Sequence, residues 1–99
     1  MSFNEHVTKD RRLVILRLLS ETPGHSSNDS ILDAALDQYG HRANRDQVRG
    51  DLTWLAEQEL LTLEIIGETV FVATLTGRGQ DVSEGTASHP GVKRPRAGE

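Results

Sequence analysis

Five polar side chains stand close together in the middle of the chain: Arg42, Asn44, Arg45, Gln47 and Arg49. Their chemistry suits base-edge recognition. An arginine can donate two hydrogen bonds to guanine, and an asparagine or glutamine amide can pair twice with adenine. The competing reading is a solvated helix edge, because residues 41–58 set three arginines against three acids, Asp46, Asp51 and Glu57. A second basic cluster, Lys93, Arg94 and Arg96, suits nonspecific contact with phosphates. The four histidines, His6, His25, His41 and His89, lack metal-ligand spacing. Asp29, Asp33 and Asp37 recur every four residues and read as a solvated acidic ridge. The chain has no cysteine, which removes disulfides and thiolate metal sites. Nothing resembles a nucleophile elbow or a glycine-rich phosphate loop. No catalytic residue, metal or cofactor is expected.

The elements that would position these residues follow from caps and periodicity. Ser2-Phe3-Asn4-Glu5 has the form of a capping box, opening a helix from about Phe3 to Glu21 that Pro23-Gly24 stops. Apolar residues from Leu13 to Leu19 wrap this helix almost completely, where a surface helix would show a stripe. That sleeve needs cover, and a homodimer interface on Leu13, Val14, Leu16 and Leu18 is the expectation. Residues 22–27 read as a polar loop. A second helix runs from about Asn28 to Tyr39, capped by Asn28 or Ser27 and closed by Gly40. A third starts at Asn44, with Gln47 completing a box, buries Val48, Leu52, Leu55 and Ala56, and ends near Glu59. Trp54 falls near the edge of that stripe and reads as a buried structural residue.

The apolar period then changes from helix to strand. Leu61, Leu63 and Ile65 alternate, and Thr69 to Leu75 follows a Gly67-Glu68 loop, which reads as a β-hairpin with a two-residue turn. Counting outward sets Ile65 against Val70 and Leu63 against Val72, and leaves Phe71 on the face away from the core. Leu75, Gly79 and Val82 share the face of a weak helix that Thr76 can cap. From Gly85 the chain is rich in Gly, Ser and Pro and reads as a disordered tail. Residues 1–84 form the expected domain and residues 85–99 the flexible basic tail.

Two helices joined by Gly40-His41-Arg42-Ala43 and followed by a hairpin resemble a winged helix-turn-helix, an α+β fold. The run Val48–Leu61 and the stretch Leu75-Thr76-x-x-Gly79 are similar to the turn into the wing and the segment after it in winged-helix regulators. More closely, Ser30 to Leu61, with Tyr39-Gly40-His41, Val48-Arg49 and Trp54-Leu55-Ala56-Glu57-Gln58, resembles small ArsR-like proteins of Mu-like prophages. The tail Pro90-Gly91-Val92-Lys93-Arg94-Pro95 does so as well. The resemblance implies a cytoplasmic transcriptional regulator that binds double-stranded DNA through helix 44–59, its N-terminal residues in the major groove. It implies no metal sensing, since the cysteine motif of the metal-sensing members is missing. Their C-terminal dimerisation helix also has no counterpart beyond the short turn before the tail.

Composition pulls the other way. The net charge is −4 on 99 residues, enough chain for one domain. The tail holds Lys93, Arg94 and Arg96 against Glu99, so residues 1–84, with eight basic and fourteen acidic side chains, carry −6. The hairpin tip offers Glu64 and Glu68 where a DNA-reading wing offers Lys or Arg. An acidic winged helix fits a second role, as a protein-interaction adaptor in a phage assembly or packaging complex. No membrane partner is expected, because the longest apolar run, Leu13–Leu16, is far short of the ~20 residues a spanning helix needs. The N-terminus lacks the basic region of a signal peptide.

Overall fold

The capping signals are where the chain turns into helix. The computed structural model describes residues 1–97. Ser2 Oγ accepts the Glu5 amide at 3.2 Å and starts α1 (Phe3–Glu21). Thr22 closes that helix, its hydroxyl donating to Leu18 O at 2.7 Å. A short 3-10 turn at Pro23–His25 leads into β1 (Ser26–Asn28), and Asn28 caps α2 (Asp29–Gln38) by accepting the Ile31 amide at 2.8 Å. Asn44 and Gln47 form both halves of a capping box at the start of α3 (Arg45–Glu57). β2 (Leu61–Ile66) and β3 (Val70–Leu75) make the hairpin, and α4 (Gly77–Glu84) follows, capped by Thr76. The architecture is α+β: four helices and a three-stranded antiparallel sheet in the order β1-β3-β2.

The expected polar loop at 22–27 therefore holds a strand. Ser26, Ser27 and Asn28 pair with Thr74, Ala73 and Val72, and the Ser26 and Thr74 hydroxyls lie 3.0 Å apart. Three polar residues give no hydrophobic alternation, so the strand leaves no pattern in the sequence.

The hairpin register differs from the expected one by a residue. Gly67 and Glu68 both have positive φ, and Thr69 is carried as a third loop residue, its amide bonded to Ile66 O at 3.2 Å. Ile66 then faces Val70, Ile65 faces Phe71 and Leu63 faces Ala73. A one-residue slip exchanges the faces of a strand. Phe71 thus joins the core side, half-buried, while Val70 and Val72 pair with Ile66 and Glu64 on the outer side.

Leu75-Thr76-x-x-Gly79 has a specific mechanical job. Leu75 is buried, Thr76 Oγ1 accepts the Gly79 amide at 3.0 Å and donates to Glu59 O at 2.8 Å. Gly79 lies so close to the strand start that a Cβ there would overlap the Leu60 carbonyl. Only glycine lets α4 sit down at this point.

The apolar sleeve of α1 is covered within the chain. Leu13, Val14 and Leu16 are buried and Leu18 is half-buried, under α4, α2, β3 and the C-terminal segment. The expected exposed dimer face on these four residues is absent, because α4 and the segment beyond it take the place of a partner.

Nor does the tail project from the domain. Val92 is 5% exposed and belongs to the core. The Lys93 amide donates to Lys9 O at 3.2 Å, and Arg12 Nη1 donates to Gly91 O at 3.1 Å. His89 stands edge-on to Trp54 at 5.1 Å between centroids, and Gly91 lies so near the same ring that a Cβ would overlap it. The Cα radius of gyration, 12.4 Å, matches the ~13 Å expected of a single compact domain of this length. Residues 85–93 of the expected flexible tail thus pack against the body, and its last two residues, 98 and 99, lie outside the described residues.

Candidate nucleic-acid interface

The first turn of α3 and the turn before it present the predicted polar residues. Gly40, with φ of 84°, closes α2, and the His41 amide returns to Leu36 O at 3.0 Å. The chain then reverses through Arg42 and Ala43 into Asn44. Arg42, Asn44, Arg45 and Gln47 lie along this turn and the helix start, with Arg42, Arg45 and Gln47 exposed and Asn44 at the cap. Asn44 Oδ1 accepts the Gln47 amide at 2.8 Å, and Gln47 Oε1 accepts the Asn44 amide at 3.0 Å. The box uses the oxygen of each side chain and leaves its NH2 donors unused. Arg45 reaches Ser30 Oγ at 3.4 Å, spanning to the start of α2.

Arg49 does something else. Its Nε donates to Asp29 Oδ2 at 2.7 Å, its Nη2 donates to Thr69 O, and its guanidinium lies 4.8 Å over the Phe71 ring. Asp29 is 1% exposed and also accepts the Phe71 amide at 3.3 Å. Burial pushes this carboxyl up, but the bonds from Arg49 and Phe71 and the charges of Arg49 and Arg45 outweigh it and hold it below the ordinary 3.8. Arg49 and Asp29 therefore fasten α2, α3 and the hairpin together. Asp29 is no part of a solvated ridge.

A second buried carboxylate ties α3 to α1. Asp51, buried, binds Arg11 and Arg12 of α1, the latter at 3.4 Å. Arg12 also stacks 3.8 Å from the Trp54 ring centre. Arg11, Arg12 and Arg49 are thus spent inside the fold. Sequence reasoning missed all three pairs, because partners 20 to 40 residues apart leave no local spacing signal.

Two histidines serve as joints. His41, buried in the α2–α3 turn, has Nε2 2.7 Å from Asp10 Oδ2, and Lys93 Nζ reaches Asp10 Oδ1 at 3.3 Å. Burial raises the Asp10 carboxyl, and the His41 and Lys93 hydrogen bonds and charges bring it below its ordinary value. His89 Nε2 lies 3.0 Å from Gln58 Oε1, while its Nδ1 accepts the Gly91 amide at 3.0 Å. That pattern is satisfied by the neutral ring alone. Burial, then the charges of Arg78 and Arg12, lower its pKa below 6.5.

The basic tail residues lie against α1. Lys93, Arg94 and Arg96 border a cavity of about 550 Å³ together with Lys9 and His6. The hairpin tip is different in kind: Ile65, Ile66 and Val70 are 53%, 52% and 37% exposed, next to Glu64 and Glu68. Among the described residues no group of three His, Asp or Glu could hold a metal ion, and no helix is long and apolar enough to cross a membrane.

No family profile and no solved structure matches the chain. It is 55% identical over 93 residues to the uncharacterized protein gp26 of Escherichia phage Mu, covering 94% of this chain and 95% of that one. It is also 51% identical over 78 residues to an uncharacterized protein of Haemophilus influenzae strain Rd, covering 79% of this chain and 76% of that one.

Proposed function

The chain belongs to the same family as the phage Mu protein gp26, and on that premise we propose that it is a prophage-type DNA-binding regulator with a winged helix-turn-helix fold. The element order α1-β1-α2-α3-β2-β3 supports this reading, with α3 as recognition helix and the hairpin as wing. The observation that carries it is the quartet Arg42, Asn44, Arg45 and Gln47. These residues sit together at one end of a helix whose backbone is already capped, so their remaining donors are available for base edges. Arg49 is not a base reader: it sets the angle of the wing. Lys93, Arg94 and Arg96 supply phosphate contacts, and the partner is double-stranded DNA in the cytoplasm. Incubating the purified protein with fragmented phage and host DNA, then sequencing what is retained, tests the proposal. A recurring short motif among retained fragments is expected. Retention of no fragment above background contradicts it.

One observation favours a second reading, a protein adaptor in a phage assembly or packaging complex. The wing tip pairs exposed isoleucines and valine with two glutamates, a surface that repels phosphates and suits a protein partner. Replacing Ile65 and Ile66 with serine leaves DNA retention unchanged under the first reading. Under the second it abolishes capture of a phage partner.

A further inference from the structure

The cavity of about 550 Å³ between α1 and the C-terminal segment gathers charge out of proportion to the rest of the molecule. Lys9, Lys93, Arg94 and Arg96 line it with His6 and His41, and Asp10 is the one carboxylate among the described residues that line it. Lys9, Lys93 and Arg94 thus converge on one cavity, on a chain whose net charge is −4. Asp10 is also already engaged, by His41 at 2.7 Å and by Lys93 at 3.3 Å. The backbone leading into Lys93 and Arg94 is held in place rather than carried on a loose tail. Val92 is buried directly before Lys93, and the Lys93 amide is bonded to Lys9 O, which sets the two lysines side by side. Arg12 and Trp54 hold Gly91 two residues earlier.

We propose that this cleft binds phosphoryl oxyanions, with Lys9, Lys93 and Arg94 as donors. Ammonium and guanidinium groups converging on one cavity are the donor set that phosphate oxygens take as charge-assisted hydrogen bonds. The phosphate has two sources: the backbone of a DNA duplex lying across the His41 turn, or a free polyphosphate. The site stands whatever α3 does. Lys9 and His6 belong to it, and neither carries any nucleic-acid signature in the sequence.

The test follows the backbone amides of the full chain by NMR during titration with pyrophosphate, alongside a fluorescent random duplex titrated at several salt concentrations. Saturable pyrophosphate shifts at Lys9, Lys93 and Arg94 are expected. They weaken about tenfold or more in the Lys9→Gln, Arg94→Gln double variant, as removal of charge-assisted bonds predicts. Unchanged amide shifts elsewhere show that the variant is folded. If the source is DNA, the salt slope of duplex affinity falls by about 0.9 for each phosphate that the variant no longer neutralises. An unchanged slope with intact pyrophosphate binding by the parent assigns the site to a free polyphosphate. Pyrophosphate binding without duplex binding sinks the α3 reading and leaves this site standing. Shifts that are unsaturable, that centre on α3, or that survive in the double variant overturn the proposal.

Discussion

Arg49 and Asp29 show how far one ion pair can redirect a residue. Arg49 has the type and the position of a base reader, yet its guanidinium is held by a carboxylate that is 1% exposed. Removing one partner of a buried pair leaves the other charge desolvated and alone. Arg49→Ala is therefore expected to lower folding stability by about 3 kcal/mol, measured by urea denaturation. Arg42→Ala and Arg45→Ala, at exposed positions, are expected to change it by less than about 0.5 kcal/mol. The pair also fixes a pH dependence. Asp29 is held below its ordinary 3.8, so the unfolded chain binds its proton more readily. Its contribution is whole above that ordinary value and is lost as pH falls through the lower folded value. Urea midpoints measured at successively lower pH should fall more steeply for the parent than for Asp29→Asn. Equal slopes would show that the pair is not what acid breaks.

The helices are legible in the sequence because their ends are written in side chains. Ser2, Asn28, Asn44 and Thr76 cap as their types predict, and Gly40 closes α2. The sheet is less so. β1 is held by backbone pairing to β3, which Ser26-Ser27-Asn28 does not advertise. The hairpin register turns on Thr69, a loop residue with no turn signature of its own, and that one residue moves Phe71 to the core. The packing of the tail depends on Trp54 and Val92 finding their cover across the fold, a long-range fit no local pattern encodes. The motif after the hairpin is visible, but its reason is steric: Gly79 against the Leu60 carbonyl. Gly79→Ala is expected to cost about 1–3 kcal/mol by overpacking that junction, read as a lower urea midpoint. A midpoint unchanged or raised, as helix propensity alone would give, contradicts this role.

At the scale of the molecule, the acidic body and the basic segment form one fold, and the latch between them is the chain's single tryptophan. His89, Gly91 and Arg12 cover Trp54. His89 fits only as a neutral ring, and its folded pKa lies below 6.5. Docking is thus fully supported above pH 6.5 and weakens as pH falls below it through the folded value. Trp54 emission should shift to the red over that interval, and the shift should vanish in His89→Gln. Gly91→Ala, whose methyl would overlap the ring, should give the shifted spectrum already at neutral pH.

Docking also reconciles the two signs of charge. The body that would repel phosphates holds Lys93 and Arg94 beside Lys9 of α1, while Arg42 and Arg45 stand at the head of α3. The most direct measurement of DNA recognition by that head is fluorescence anisotropy of a labelled duplex at low salt, with the parent and the Arg42→Ala, Arg45→Ala double variant. The parent should bind, more weakly as salt rises, and the variant should lose about 1–3 kcal/mol per base contact removed. A folded parent that leaves the duplex free at low salt, or a double variant that binds as well as the parent, would contradict recognition by α3.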